Sequence, residues 1–166
     1  MGPLSHLATA TPLGALTIIC DEHVIVAAGF TTLGALRKKL SPVDIERTLR
    51  PSKESRWLQG VVDSYFEGDL DAFAAVEVRQ PGSQFSQRAW QAMRKIPAGK
   101  VITYSTLAVQ AGSPAAVRAA GSACGRNAIA PIIPCHRIIR SDGTLGNYGY
   151  GQRKKSWLLR HEGAIE

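Results

Sequence analysis

The spacing of apolar and polar residues in the first half of the chain predicts a small α+β module. Two β-rich runs, Ala15–Ile19 and Val24–Ala27, flank the polar segment Asp21–His23. Short runs of this kind around a turn are typical of antiparallel strands. Over Arg56–Phe66 the apolar residues recur at helical spacing, which predicts a helix. The first domain is therefore predicted to be an antiparallel sheet with a helix.

The pattern changes at Gln80–Ser83, where helix-breaking residues predict a boundary between domains of residues 1–80 and 81–166. A helix is expected over Ser83–Lys95. A second helix, capped by Ser105, is expected to end at Ala111. Gly112 would then form a turn, and the third helix would run from Ser113-Pro114 to Gly125.

Two short helices around a tight glycine turn have the outline of a helix-turn-helix, in which the second helix contacts DNA. A helical hairpin packed in a core is the alternative. The second helix carries small residues apart from Arg118, which could be solvated or could enter a base stack. Gly121 lies in mid-helix, where glycine costs roughly 1 kcal/mol relative to alanine. A close contact on this face is expected to compensate for that cost.

The net positive charge lies entirely in the second half of the chain. The net charge is +7 over 166 residues; residues 1–80 hold 8 basic and 10 acidic side chains, and residues 81–166 hold 12 and 3. Basic domains of this kind neutralise DNA phosphates, although a solvated cationic surface has the same composition. With 45% hydrophobic residues, the chain has enough apolar content for a folded core.

Cysteine use and hydropathy favour a soluble, cytoplasmic protein. Apolar runs such as Val24–Phe30 are too short to span a bilayer, and no signal peptide is evident. The three cysteines, Cys20, Cys124 and Cys135, form no CxxC pair, so neither disulfides nor a zinc ribbon are predicted. Because Cys20 and His23 are the only neighbouring candidate ligands in the first domain, no metal is expected.

The segment Pro131–Ile139 is the strongest candidate for chemistry, because Cys135, His136 and Arg137 interrupt an apolar run. Histidine and arginine are costly in an apolar strand unless they are paired, so a polar network around Cys135 is expected. A buried structural cysteine is the alternative. Neighbouring strand residues face opposite sides, so adjacency alone does not place His136 against the thiol.

Pro134–Arg137, with isoleucines on both sides, resembles the active-site signature of the O6-alkylguanine-DNA alkyltransferase family. Further motifs that resemble the family follow in the same order along residues 83–163, and the resemblance continues more weakly into the first domain. They are Thr103-Tyr-Ser105, Ala116-Val-Arg-Ala-Ala-Gly121, Arg126-Asn127, Gly146-Asn-Tyr-Gly149 and Trp157-Leu-Leu-Arg-His-Glu-Gly163.

The resemblance implies a set of catalytic residues. Cys135 matches the nucleophile, and His136 matches the base that deprotonates it through a bridging water. Glu162 matches the acid that orients this histidine; a carboxylate in the last turn of a helix opposes the helix dipole, which a functional partner would explain, although an exposed glutamate is the alternative. Asn127 matches the residue that holds the active-site loop. Tyr104 matches the tyrosine that helps to rotate the nucleotide and donates to the guanine ring.

The resemblance also implies the residues that contact substrate and DNA. Those matching the substrate pocket are Asn147, Tyr148, Gly149 and Ile138, and those matching the DNA contacts are Arg118, Ser113, Ala116, Gly121, Tyr104 and Ser141. The glycine-rich stretch Gly143–Gly151 lacks the sequence context of a phosphate loop. Tyr150 stands where the family has a small residue, which affects the size of the pocket. Cys124 replaces a larger apolar side chain and is expected to be packed.

The resemblance implies an α+β fold, with an RNase H-like first domain and a mostly helical second domain that carries the helix-turn-helix. It implies irreversible transfer of the alkyl group from O6-alkylguanine, and also O4-alkylthymine, in duplex DNA to Cys135. A flipped base, a minor-groove contact, a monomer and no cofactor are expected, and cooperative binding stays open. The alternatives are a non-enzymatic lesion-binding relative, which would lack Cys135, a thiol hydrolase, and a transcription regulator.

Overall fold

The structure, a computed structural model, describes residues 1–53 and 56–166 and divides into two compact units. The first unit comprises residues 1–81 and 128–132, and the second comprises residues 82–127 and 133–166. Helices and a small sheet confirm the α+β class. The second unit is not the uninterrupted segment 81–166 that was predicted, because residues 128–132 return to the first unit.

A four-stranded sheet forms the first unit, with the order β3-β2-β1-β4. Its strands are β1 (Leu4–Thr9), β2 (Leu16–Asp21), β3 (Val24–Gly29) and β4 (Leu49–Pro51). Strands β1, β2 and β3 pair antiparallel, whereas β1 and β4 pair parallel. The sheet is therefore mixed rather than antiparallel throughout. The sequence pattern missed β1 and β4, since neither presents a continuous apolar run.

Helices and a returning segment complete the first unit. Helix α1 spans Leu33–Arg37, and α2 spans Arg56–Glu67, where helical spacing predicted it. The backbone of residues 128–132 bonds to β3: the N–H of Ala28 donates to the Ala128 carbonyl, at 2.8 Å. The core of the sheet consists of Leu4, Ile19, Val26, Ala27, Leu36 and Leu40.

The second unit begins with helix α3 (Gln84–Arg94), whose first turn is capped by the Ser83 hydroxyl. This helix buries Trp90, and the indole N–H donates to the carbonyl of Ala123 at 2.9 Å. The prediction that Ser83 and Lys95 bound this helix is confirmed, since Ser83 is the N-cap and Lys95 the C-cap.

The predicted helix-turn-helix is present, with different helix starts. Helix α4 spans Tyr104–Gln110 and is capped by Thr103, so Ser105 lies inside the helix and is not its cap. Helix α5 spans Val117–Arg126. The prediction that it starts at Ser113-Pro114 was wrong: the N–H of Ala116 donates to the Ser113 carbonyl, which makes residues 113–116 a turn.

Two short parallel strands and a final helix hold the rest of the second unit. Strand β5 (Ile102–Thr103), predicted as a connector, pairs with β6 (Ile138–Ile139), and helix α6 spans Gln152–His161. Within residues 1–53 and 56–166, no helix is long and apolar enough to cross a membrane.

Candidate active site

Cys135 lies in a tight turn, not in a strand as the apolar run predicted. Residues Cys135–Arg137 form a single 3₁₀ turn, closed by the Arg137 N–H donating to the Pro134 carbonyl at 3.0 Å. Pro134 fixes its own φ and lacks an N–H, so it does not support a continuing strand pair. In a turn of three residues per revolution, successive side chains point about 120° apart. Cys135 and His136 are therefore not forced onto opposite faces.

His136 is hydrogen-bonded to Glu162 inside the second unit. The Nε2 atom of His136 lies 2.9 Å from Oε2 of Glu162, and the two side chains are 1% and 0% exposed. A carboxylate accepts hydrogen bonds, so this contact places the imidazole proton on Nε2 and leaves the lone pair on Nδ1. Nδ1 is buried and has no hydrogen-bond partner among the described residues. Burial lowers the pKa of His136, although the bond to Glu162 acts in the opposite direction.

Arg137 makes a second set of bonds to the same carboxylate. Its Nε donates to Oε1 of Glu162 at 2.8 Å, its Nη2 donates to Oε2 at 2.9 Å, and its Nη1 donates to the Ile96 carbonyl at 2.7 Å. Burial alone would raise the pKa of Glu162, but the bonds from His136 and Arg137 outweigh it and hold that pKa well below its usual range. A fixed negative charge thus lies behind the imidazole.

The sequence predicted a polar network but did not identify Arg137 as a partner of Glu162. The signal was present in the Cys-His-Arg triplet, because a buried arginine requires a counter-ion. Glu162 lies at the C-cap of α6, where the helix dipole is unfavourable to it. The hydrogen bonds from His136 and Arg137 compensate for the unfavourable interaction of the carboxylate with the helix dipole.

Asn127 holds the chain on either side of the site. It is buried at the C-cap of α5, and its Nδ2 donates to the Ile133 carbonyl at 2.8 Å. This bond connects the end of α5 to the segment that precedes Cys135. The geometry fits the loop-holding role that the resemblance implies.

Cys135 opens onto a cavity of about 750 Å³ within the second unit. The side chain is 8% exposed, as expected for a thiol at the bottom of such a space. The cavity is lined by Tyr104, Val117, Arg118, Gly121, Ser122, Cys124, Gly125, Cys135, Arg140, Ser141, Asn147, Tyr148 and Gly149.

Eight of the predicted site residues line this cavity, and others do not. Those that line it are Tyr104, Arg118, Gly121, Cys135, Ser141, Asn147, Tyr148 and Gly149. Ile138 does not, because it is fully buried in β6. Ser113 and Ala116 lie in the turn before α5. Tyr150 packs edge-on against Tyr148, with ring centroids 5.7 Å apart, and is not among the lining residues.

Tyr104 reaches the glycine-rich segment because Gly146 has no side chain. A β-carbon on Gly146 would lie 2.9 Å from the Tyr104 hydroxyl oxygen, and the φ of +75° also favours glycine. Burial raises the pKa of Tyr104, and charges at Cys124 and Cys135 add to this rise. The hydroxyl therefore remains a hydrogen-bond donor at neutral pH.

Lys155 is a buried residue of this region that sequence reasoning missed. Its Nζ donates to the Ile138 carbonyl at 2.7 Å and to the Asn147 carbonyl at 3.2 Å, and the residue is 0% exposed. It thereby connects α6 to β6 and to the cavity wall. Burial lowers the pKa of this lysine. A lysine among basic neighbours near the start of a helix gives no sequence signal for burial.

The two candidate metal ligands of the first unit, Cys20 and His23, differ in exposure. Cys20 is buried in β2, which raises the pKa of its thiol to about 12. His23 is exposed, and its Nε2 lies 3.4 Å from Oε2 of Glu77. In the described ranges, no group of three or more His, Cys, Asp or Glu side chains is arranged to hold a metal ion.

Comparison with known proteins gives a consistent result. The family described as "6-O-methylguanine DNA methyltransferase, DNA binding domain" matches residues 84–164. A methylated-DNA–protein-cysteine methyltransferase of Salmonella typhimurium is 38% identical over 160 residues, which is 94% of each chain. The protein of the same name from Mycobacterium leprae is 41% identical over 127 residues, 71% of this chain and 76% of its own.

The fold comparison agrees with the sequence comparison. A crystal structure of Mycobacterium tuberculosis OGT in complex with DNA matches with a TM-score of 0.80 and 33% identity, covering 96% of this chain and 93% of that one. Similarity at this level spans both units and not only the helix-turn-helix. The chain belongs to the methylated-DNA–protein-cysteine methyltransferase family.

Proposed function

We propose that the protein repairs DNA by transferring the alkyl group of O6-alkylguanine, and of O4-alkylthymine, irreversibly to its own Cys135. The observation that carries this proposal is the position of Cys135: it lines an open cavity and is followed directly by His136, which is held by a buried carboxylate. A structural cysteine would need neither the cavity nor the buried network.

His136 is the base in this proposal, acting through Nδ1. A thiolate is the attacking species, and a cysteine with a pKa near ~8.5 is mostly protonated at neutral pH without a base. Because the Nε2–H group donates a hydrogen bond to Glu162, only Nδ1 can receive the proton of the thiol. Arg137 keeps Glu162 ionised, and the ionised carboxylate stabilises the tautomer of His136 that carries its proton on Nε2.

The transfer forms one bond and breaks one. The Cys135 sulfur attacks the alkyl carbon, the bond from that carbon to O6 breaks, and its electron pair leaves with guanine. Tyr104 is placed to donate a hydrogen bond to the base as negative charge develops, which lowers the barrier. The product is a thioether, which needs no cofactor to form and is chemically stable. Each molecule thus reacts once.

The duplex would bind at α5 with the damaged nucleotide rotated into the cavity. Flipping a base costs a few kcal/mol, which phosphate contacts and a side chain filling the stack offset. Arg118 is exposed and also lines the cavity, so it lies at the opening through which the base would enter. We assign it the role of filling the vacated stack from the minor groove.

The glycine in mid-helix supports a DNA contact on this face. A β-carbon on Gly121 would meet no described atom within 4 Å, so packing inside the protein does not explain why the glycine is there. Close approach of a DNA backbone does explain it, because even a methyl group would hold the helix away. Ser113, Ala116 and Ser141 are proposed as further contacts on the same side.

The proposed chemistry also bears on the location and the oligomeric state of the protein. A nucleophile that must stay reduced favours a cytoplasmic location, where thiols are kept reduced. Each copy carries the whole set of proposed catalytic residues in one unit, so we propose that a monomer is sufficient for transfer.

Incubating the protein with a duplex that contains O6-methylguanine tests the proposal. We expect the intact mass to increase by one methyl group per protein, located on Cys135 by peptide mapping. The Cys135→Ser variant should bind the duplex and gain no methyl group, whereas Cys20→Ser should react normally. Binding of the lesion without any adduct would instead favour a non-enzymatic lesion-binding protein.

A further inference from the structure

The cavity wall contains a second cysteine that the proposed transfer does not use. Cys124 lies in the last turn of α5, and it was expected to be packed. It is half-buried and lines the same cavity as Cys135. Its neighbours Gly121 and Gly125 also line the cavity and have no side chain that could cover the thiol.

The two cysteines lie on segments that Asn127 joins. The Asn127 N–H donates to the Cys124 carbonyl at 3.3 Å, and its Nδ2 donates to the carbonyl of Ile133, two residues before Cys135, at 2.8 Å. Burial raises the pKa of Cys124, and a charge on Cys135 raises it further. Tyr104 lines the same cavity, and charges at Cys124 and Cys135 raise its pKa. Cys20, the remaining cysteine, is buried in the sheet of the first unit.

We propose that Cys124 is a resolving cysteine, which forms a reversible disulfide with Cys135 when the active site meets hydrogen peroxide. The Cys135 thiolate attacks one peroxide oxygen, the O–O bond breaks, and Cys135 becomes a sulfenic acid while hydroxide leaves and takes up a proton. The Cys124 thiol then attacks the sulfenic sulfur; the S–S bond forms and water leaves. Two thiols are oxidised by two electrons in total, and peroxide is reduced to two waters.

The roles of the two sulfurs differ because their surroundings differ. Under the proposed function His136, in the same 3₁₀ turn, is the base for Cys135 through its unprotonated Nδ1, so Cys135 is the sulfur that is activated. The raised pKa of Cys124 keeps it protonated towards peroxide, so Cys135 is oxidised first. Cys124 gives up its proton as its sulfur attacks the sulfenic sulfur, and that proton leaves with the hydroxyl group as water. The disulfide would connect α5 to the Cys135 turn and close the cavity.

The consequence is protection of the acceptor. A sulfenic acid left alone proceeds to sulfinic acid, which ordinary thiols do not reverse, whereas a disulfide is reduced by a dithiol. Disulfide formation does not depend on the proposed alkyl transfer. The loss and recovery of transfer that it causes do rest on that function.

Peptide mapping after oxidation tests the proposal on the full chain. The protein is treated with hydrogen peroxide, blocked with N-ethylmaleimide and digested with trypsin without reductant. Trypsin separates the two cysteines into the peptides 119–126 and 127–137. We expect these two peptides to be joined, with the loss of two hydrogens, and to separate after treatment with dithiothreitol.

Variants and a functional assay complete the test. Cys124→Ser and Cys124→Ala should yield no joined peptides and should accumulate sulfinic acid at Cys135, with thermal unfolding confirming that each is folded. Cys20→Ser should form the joined peptides like the wild type. Reaction with free O6-benzylguanine should be lost on oxidation and restored by dithiothreitol in the wild type, but not restored in the Cys124 variants.

Two results would overturn the proposal: sulfinic acid at Cys135 without joined peptides in the wild type, or equal recovery of O6-benzylguanine reaction with and without Cys124. Joined peptides in a protein whose reduced form never reacts with an alkylated base would leave the disulfide standing and refute alkyl transfer instead.

Discussion

At the scale of single residues, the protonation state of His136 determines when the proposed base works. Its pKa is lowered from 6.5 by burial, so the imidazole is neutral at and somewhat below neutral pH. We expect the rate of methyl transfer to stay level as the pH falls from 7 to 6.5 and to decline only below that value. The measurement is single-turnover transfer from an O6-methylguanine duplex at several pH values. A rate already halved at or above pH 6.5 would show that the histidine is not buried in this way.

The carboxylate of Glu162 supports a second prediction at this scale. In Glu162→Gln the charge that pairs with Arg137 and orients His136 is removed, which leaves a buried guanidinium without its counter-ion. Removing one member of a buried ion pair destabilises a protein by about 3–5 kcal/mol. Chemical denaturation should show a loss of that order and transfer should slow. Glu166→Gln, at an exposed glutamate, is the control and should change neither quantity.

The lowered pKa of Glu162 fixes the direction of its effect on stability. The carboxylate is ionised in the folded state at pH values where the unfolded chain, with a pKa near 4.5, takes up a proton. Its contribution is therefore complete above pH 4.5 and is lost as the pH falls through the folded pKa. Glu162→Gln should have a flatter acid branch in its stability profile than the wild type.

At the scale of elements, helix α5 carries a destabilising glycine on the surface proposed to contact DNA. Because an added β-carbon at Gly121 meets no described atom, Gly121→Ala should raise the free energy of unfolding by up to about 1 kcal/mol. The same methyl group should weaken duplex binding. Gly60→Ala, in α2, is the matched control: its β-carbon is equally unobstructed, so it should stabilise the protein without affecting DNA. Unchanged duplex affinity in Gly121→Ala would remove the argument for close approach.

Substituting Arg118, in the same helix, allows base flipping to be tested separately from alkyl transfer. It is exposed at the cavity opening but is not part of the buried network around His136. Arg118→Ala should slow transfer from duplex DNA and leave reaction with free O6-benzylguanine unchanged, since the free base needs no flipping. Arg153→Ala in α6 removes the same charge from the same unit and should affect duplex transfer much less. Equal losses on both substrates would contradict the role of Arg118.

Local sequence patterns predicted which elements exist better than where they begin. Helical spacing and the Ser83 cap located α2 and α3 closely because those signals act within one turn. At α5, Ser113-Pro114 is an equally good start signal, yet the helix begins at Val117. Serine followed by proline is equally compatible with the turn that residues 113–116 form. The apolar run at Cys135 predicted a strand, but Pro134 ends the extended backbone. The 3₁₀ turn, the bidentate Arg137 bond and the buried Lys155 depend on contacts that no local pattern encodes.

At the scale of the whole molecule, the boundary between the acidic and basic halves of the sequence does not coincide with the boundary between the two structural units. Residues 1–80 and 81–166 differ sharply in net charge, but residues 128–132, which come from the basic half, belong structurally to the first unit. These five residues are all apolar and all buried. Their backbone completes hydrogen bonds with β3. A fragment of residues 82–166 would therefore carry this apolar segment without its partners in β3.

We expect the fragment of residues 82–166 to expose this segment. Compared with the full chain at equal concentration, it should bind more of an apolar fluorescent dye and aggregate at a lower concentration, because unpaired strand-like backbone and apolar side chains favour association. Ile129→Ser provides the matched test, since Ile129 is fully buried in the full chain. The substitution should lower dye binding by the fragment while lowering the unfolding free energy of the full chain. A fragment as soluble as the full chain, with no response to Ile129→Ser, would mean that residues 128–132 find equivalent burial within the second unit and that the predicted domain of residues 81–166 is self-sufficient after all.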